Sequence, residues 1–200
     1  MKNFTFILLL SLLSCKNSDS NRKLNTENII SVTDNDIYEI VNFVLDEHDK
    51  AMKVDGFKIN PYKYILDKDI EPLFNHGDSI VLVKTDTLFS KEDLLYIEKQ
   101  INNRKNFRFK SNFIKSKKII SAEIVKSMLN EKGRGGKSFY EIYERKFGKD
   151  MFYTIGLPVF SKNKKIVFIK FDSFGSGKTL IYKKVNNKWK YYCSISDWIA

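Results

Sequence analysis

Cysteine is scarce in this sequence, since the 200 residues include only Cys15 and Cys193. Two thiols form at most one disulfide, which is less than the framework that stabilises small secreted domains. We therefore expect a fold that needs no disulfide. Cys193 lies in the strand-like run 191–195 (Tyr-Tyr-Cys-Ser-Ile), a context that favours a buried, inert thiol over a reactive one.

Histidine is equally scarce, with two residues, which leaves little material for metal or acid–base chemistry. His48 lies between Glu47 and Asp49 at the end of a predicted helix, and adjacent helical residues do not share a face. Zinc would require His48 and His76 to meet, with Glu47 or Asp78 close by. No serine or cysteine has a nucleophile-elbow context. We expect no metal, no cofactor and no catalytic residues.

Long apolar runs are also missing. The N-terminal run, Phe4–Leu13, is apolar apart from Thr5 and Ser11, follows a short cationic start and is too short to span a membrane. A short cationic start, a brief apolar run and a small residue are typical of a secretory signal peptide. Residues 1–14 are therefore excluded from the predicted fold.

The end of this segment, Leu12-Leu13-Ser14-Cys15, resembles the lipobox of bacterial lipoproteins. The resemblance implies a diacylglycerol on the Cys15 thiol, cleavage before Cys15 and acylation of the new amine. Several acyl chains together give stable membrane anchoring. Lipid on Cys15 would leave Cys193 without a partner in the chain. The alternatives are an ordinary signal peptide with an incidental Cys15, or an uncleaved anchor.

After the leader we predict a lipidated cysteine with a flexible, polar tether over residues 15–33, and a single domain over residues 34–200. Surface-exported lipoproteins of some Bacteroidetes resemble one another in an acidic run directly after the cysteine, which this chain lacks. This favours the outer membrane, facing the periplasm; the cell surface is the alternative.

The patterning of the domain predicts helices first and strands last. Apolar residues at helical spacing from Ile37 to Leu45, capped by Thr33 or Asp34, predict an amphipathic helix of about 15–18 residues. Further helices are expected from Ser90 to Asn102, from Ser121 to about Lys132, stopped by Gly133, and from Ser138 to Gly148. Strands are expected at 62–66, 79–88, 165–171, 179–185 and 188–195.

The last two strands flank Asn186-Asn187, a favourable pair for a tight turn. The predicted fold class is therefore α+β, with N-terminal and central helices packed on a C-terminal antiparallel β-meander.

Residues 139–199 resemble a group of bacterial envelope proteins that share an S-x-x-x-F strand, a Gly-x-Gly turn and a strand pair ending in G-x-W-K. This chain departs from that pattern because Gly156 stands in place of the first Ser, and Asn187 in place of the Gly before Lys-Trp. The resemblance implies a shared sheet and no particular activity. It is carried by Phe139-Tyr140, Phe147, Leu157–Ser161, Gly175–Gly177, Lys183–Lys190 and Asp197–Ile199.

Two segments imitate a phosphate-binding loop. Gly175–Thr179 ends like a Walker A motif, but Asp172 occupies the position of the required Gly and a predicted strand follows instead of a helix. Gly133–Ser138 has Glu131 at that position and follows a helix. We interpret the first as a hairpin turn and the second as a helix–helix loop, with no nucleotide bound.

The net charge of +11 favours anionic partners, and the export signal argues against nucleic acid. Residues 99–122, hereafter the basic segment, contain no acidic residue. Phe107 and Phe109 predict a strand with aromatics on one face, and cations on the other. That face is either ordinary solvated surface or a site for anionic lipid, glycan or acidic protein. The candidate residues are Arg104, Lys105, Arg108, Lys110, Lys115, Lys117 and Lys118.

The sequence as a whole predicts a non-catalytic binding domain held on the cell envelope by lipid. The alternative is an envelope hydrolase or metal-dependent enzyme whose site is assembled from residues far apart in the chain.

Overall fold

A computed structural model describes residues 31–54, 62–67, 88–136, 138–173 and 176–199. The leader with Cys15, the tether as far as residue 30, His76 and nearly all of the predicted strand at 79–88 lie outside these residues.

Four helices are described: α1 (Asp34–Val54), α2 (Lys91–Asn103), α3 (Ala122–Gly135) and α4 (Phe139–Phe147). Helix α1 starts where predicted, with the Thr33 hydroxyl accepting from the Asp36 amide and the Asp36 carboxylate accepting from the Thr33 amide. It has 21 residues, more than predicted. Helix α3 does not stop at Gly133 as predicted. It continues to Gly135, and Gly136, with a φ of 65°, ends it.

Seven strands form one mixed sheet: β1 (Tyr64–Leu66), β2 (Lys118–Ile120), β3 (Phe152–Ile155), β4 (Val159–Phe160), β5 (Ile166–Ser173), β6 (Ser176–Val185) and β7 (Lys188–Ile199). The order is β2-β1-β3-β5-β6-β7, with β4 also paired to β5. The antiparallel meander β5-β6-β7 is confirmed, with Asn186 and Asn187 both at positive φ in the final turn. The fold class is α+β.

The parallel end of the sheet was not predicted in this form. Strand β1 lies between β2 and β3 and runs parallel to both. Parallel neighbours need long connections, and here α3 and α4 lie in the chain between β2 and β3.

The sheet separates two apolar layers. On one face α1 contributes Ile37, Val41 and Val44 to a cluster that contains Tyr153, Phe171 and Leu180 from the strands. Neighbouring strand residues such as Phe168 and Ile181 belong to a second cluster with Ile97 of α2. Helices α3 and α4 pack through Val125, Met128 and Ile142 on Leu66 and Ile120. The face under α1 carries the candidate site.

Gln100 of α2 closes the free edge of β4. Its side-chain amide donates to the Phe160 carbonyl at 2.7 Å, and its carbonyl oxygen accepts from the Phe160 amide at 3.1 Å. A buried side chain thus makes the two hydrogen bonds that a further strand would otherwise make with Phe160, and the short strand is not left with unpaired polar groups.

Candidate ligand-binding site

The aromatic part of the basic segment is not a strand, which corrects the prediction. Residues 107–110 have no regular structure and lead into a short 3-10 turn at Ser111–Phe113. Phe107 and Phe109 both contact the Tyr38 ring of α1, with centroids 6.2 Å away in each case. Tyr38 also accepts a hydrogen bond from the Lys110 amide at 2.7 Å. Tertiary packing on α1, not strand pairing, therefore fixes this segment.

Three of the seven candidate cations form ion pairs near the surface. Arg104 binds Asp34 at 3.0 Å and donates to the Val32 carbonyl, while Lys110 lies 3.6 Å from the same carboxylate. The hydrogen bond from Arg104 is the main reason that the pKa of Asp34 is lowered from its usual value. Arg108 lies 4.0 Å from Asp67. These cations largely fasten the segment to the domain.

Lys117 departs furthest from the prediction, because its side chain is only 2% exposed and forms an ion pair with Asp49 beneath α1. It is therefore not part of any surface for anionic partners. Among the described residues, Lys105, Lys115 and Lys118 are exposed and have no carboxylate partner. Only these three of the seven are left as free surface cations.

The Lys117–Asp49 pair is one end of a chain of polar contacts that leads to His48. The second Asp49 oxygen accepts from the Tyr153 hydroxyl at 3.1 Å, and that hydroxyl lies 3.1 Å from His48 Nδ1. The Lys117 ammonium also lies 5.5 Å from the centre of the Tyr153 ring. Helix α1, the segment before β2 and strand β3 each contribute to this chain, which we call the relay.

The relay fixes how His48 is protonated. An ionised carboxylate only accepts, so Tyr153 donates its single proton to Asp49. The bond between Tyr153 and His48 then requires the imidazole Nδ1–H as donor. Neutral His48 is therefore assigned the Nδ1–H tautomer, whose Nε2 carries a lone pair.

Burial lowers the pKa of His48 from its usual 6.5, and the nearby positive charges of Lys178 and Lys117 add to this effect, while the Asp49 charge opposes it. His48 is therefore neutral at pH 7. The ring packs edge-on against Tyr153, and its centroid lies 4.8 Å from that of Phe171. The imidazole is thus held on two sides and protonated only in acid.

His48 lines a half-open pocket of about 420 Å³ between the second half of α1 and strands β5–β7, hereafter the His48 pocket. Its apolar wall includes Val44, Phe171, Leu180 and Tyr182. Burial raises the pKa of Tyr182 to about 12, so this residue is a neutral hydrogen-bonding group at pH 7.

The polar wall of the His48 pocket consists of Glu47, His48, Lys178 and two serines. The hydroxyls of Ser173 and Ser176 lie 2.9 Å apart and hydrogen-bond to each other. Glu47 pairs with Lys50 at 3.2 Å. Among the described residues Lys178 has no ion-pair partner, and its ammonium is the one uncompensated charge of the wall.

The sequence named His48 but missed the residues that give it a role. Asp49 was considered only as its neighbour and Lys117 as a surface cation. Lys178 was considered only as part of the phosphate-loop imitation, and Tyr153 was not singled out. Also, α1 continues to Val54, so His48 is not at the helix end as predicted. An i, i+1 pair does not share a helical face, and it was Tyr153 that linked the two side chains.

The remaining sequence motifs have ordinary surroundings. In the described part of the first phosphate-loop imitation, Ser176–Thr179 lies in β6; the second continues α3 and turns at Gly136. Cys193 is a half-buried free thiol, and burial raises its pKa. The described residues contain no group of three or more His, Cys, Asp or Glu side chains that could hold a metal ion.

Comparison with protein families, with curated protein sequences and with solved structures gave no match. Within the residues described, no helix has the length and apolarity needed to cross a membrane.

Proposed function

We propose that this protein is a lipid-anchored receptor of the bacterial cell envelope, whose domain binds a small ligand in the His48 pocket without transforming it. The carrying observation is the relay, which presents one fixed imidazole on a wall shared with a free ammonium and apolar side chains. A concave, mostly apolar pocket with a few fixed polar groups is typical of small-molecule sites.

The contacts of the two serines favour binding over hydrolysis. A nucleophilic serine is activated by a hydrogen bond to its base, whereas Ser173 and Ser176 bond to each other. The relay also ends on an ion pair whose ammonium is buried, a structural arrangement that rigidifies the wall. The catalytic alternative would use the His48 Nε2 lone pair as a general base.

The anchoring part of the proposal is supported by the lipobox and by the start of the domain. Arg104 donates to the Val32 carbonyl at 2.6 Å, so the basic segment holds the point where the tether joins the domain. Lys105, which follows Arg104 and is exposed, would then lie near anionic headgroups, and each such cation contributes about 1 kcal/mol to membrane attraction.

The binding part is tested by filling the His48 pocket. Ala51 is exposed and lines the pocket, so Ala51→Trp should block it without disturbing the core. Asn102→Trp, on an exposed site of α2, is the matched control. We expect a small-molecule fragment screen by NMR to yield binders that Ala51→Trp abolishes and Asn102→Trp retains. A screen without binders, or binders indifferent to Ala51→Trp, would contradict the proposal.

The anchoring part is tested separately in cells. Cys15→Ala should abolish metabolic labelling with acyl chains and release the protein from membranes. Labelling that persists in the variant would show that lipidation at Cys15 is wrong, and it would leave the pocket result untouched.

A further inference from the structure

We infer that the ligand of the His48 pocket is a small monocarboxylate with an apolar body and a hydroxyl or amino group next to the carboxylate. This inference rests on the proposed function and narrows it to a chemical class. Three features of the wall lead to it: one unpaired ammonium, one fixed hydrogen-bond acceptor and an apolar side.

The unpaired ammonium of Lys178 is the reason to expect a negative charge on the ligand. Its ammonium lines the pocket near His48, and no described carboxylate pairs with it, whereas Glu47 is paired with Lys50 and Asp49 with Lys117. Lys178 is exposed, and a cation without a paired carboxylate attracts an anion to the pocket that it lines. A single ammonium matches a monoanion. Because Ser173 and Ser176 hydrogen-bond to each other, at most one of their two hydroxyl protons is left to donate to a carboxylate oxygen.

The relay is the reason to expect a hydrogen-bond donor on the ligand. Because Nδ1–H of His48 is committed to Tyr153, the Nε2 lone pair is left to accept a hydrogen bond. A ligand group that meets it must bring a proton, as a hydroxyl or an ammonium does. Among the described residues no donor satisfies Nε2. A ligand without a donor that covered Nε2 would displace water from this polar atom without replacing its hydrogen bond, which costs affinity.

The apolar body follows from the opposite side of the pocket. Phe171, Leu180 and Tyr182 form part of a strand surface that faces α1, with Val44 closing it from the helix. A volume of about 420 Å³ is near the lower end for small-molecule sites, so the body is about the size of one aromatic ring or a short alkyl chain.

The experiment compares four probes by titration calorimetry on the chain purified with its lipid anchor in detergent. Phenyllactate and L-phenylalanine carry both the carboxylate and a donor. Phenylpropionate lacks the donor, and phenyllactamide lacks the charge. We expect at least one of the first two to bind roughly ten-fold or more tightly than either comparison probe, the effect of one hydrogen bond to a charged or enclosed group. The preferred probe identifies a hydroxy or an amino acid.

Two variants assign each preference to its residue. Lys178→Met should remove the preference for phenyllactate over phenyllactamide. His48→Phe should remove the preference for phenyllactate over phenylpropionate. Lys183→Met is the matched control, because Lys183 lies on β6 five residues further along the chain, and strand alternation puts it on the other face. Its ammonium lies over the Tyr192 ring. This control should bind all four probes like the unaltered protein.

The outcomes separate the ligand class from the pocket. Equal affinity for phenyllactate and phenyllactamide, or preferences that survive Lys178→Met and His48→Phe, would overturn the monocarboxylate. If none of the four probes binds while the fragment screen yields binders sensitive to Ala51→Trp, the class is wrong and the pocket is right. Failure of both experiments would overturn the proposed function itself.

Discussion

Lys110 and Lys117 are two lysines of one basic segment, and each is paired with an aspartate of α1, yet their surroundings differ completely. The Lys110 side chain is 60% exposed beside Asp34, whereas that of Lys117 is 2% exposed beside Asp49. Water weakens the Lys110–Asp34 pair. The Lys117 ammonium has instead lost its hydration, and it contacts the Asp49 carboxylate and the Tyr153 ring. A lysine therefore forms an exposed ion pair at position 110 and a buried structural ion pair at position 117.

Lys117→Met tests this difference most directly, because it leaves the half-buried Asp49 carboxylate without its cation. We expect the free energy of unfolding to fall by about 3–5 kcal/mol in urea titrations, the usual effect of removing one partner of a buried pair. The double variant Lys117→Met with Asp49→Leu should recover much of this loss. A single-variant loss below about 1 kcal/mol would show that water reaches the pair.

A smaller effect is expected where the buried polar group is neutral. Gln100→Met keeps the side-chain length but leaves the Phe160 amide and carbonyl without partners at the edge of β4. Unsatisfied buried groups cost about 1–3 kcal/mol, so the unfolding free energy should decrease by that amount. Hydrogen exchange at the Phe160 amide should quicken as well; unchanged protection would mean that Gln100 does not close this edge.

Lys110→Met is the surface counterpart of Lys117→Met and should change the unfolding free energy by about 0–1 kcal/mol. Raising the salt concentration should shrink even this difference, because exposed charges are screened. A loss comparable to that of Lys117→Met would remove the contrast between the two pairs.

The contrast also explains which features the sequence could predict. The apolar spacing of Ile37, Val41 and Val44 and the turn at Asn186-Asn187 are local signals, and the structure confirms both. The burial of Lys117 is not a local signal, because Lys110 and Lys117 both lie in a segment with further cations and no acidic residue, and only the fold distinguishes them. Strand β1 lies within the strand predicted at 62–66, whereas the three residues of β2 are too few for a period of two to be recognised.

The candidate site was hidden for the same reason. Asp49 and Tyr153 are 104 positions apart, and His48 meets Phe171 only after β5 has paired into the sheet. The only sequence signal was a rare histidine, His48, beside the carboxylate of Asp49. The hydrogen bonds through Tyr153, which depend on the fold, join these two side chains into a candidate site.

The smallest expected effect concerns the pH dependence of stability through His48. Burial lowers the pKa of the folded imidazole below the usual 6.5, so between these two values the unfolded chain binds more protons than the folded one. The unfolding free energy should therefore fall as the pH decreases through 6.5 and level off below the folded pKa. His48→Gln removes this proton linkage.

The difference in unfolding free energy between the unaltered protein and His48→Gln, measured from pH 7.5 to 5, isolates that contribution from all other titrating groups. As the pH falls, the unaltered protein should lose more unfolding free energy than His48→Gln does. Nitrogen-15 NMR at pH 7.5 should also report the Nδ1–H tautomer, and Tyr153→Phe should remove the preference for it, since Tyr153 is the acceptor that selects it. A difference that does not vary with pH, together with an Nε2–H imidazole, would mean that the relay from Lys117 does not reach the pocket.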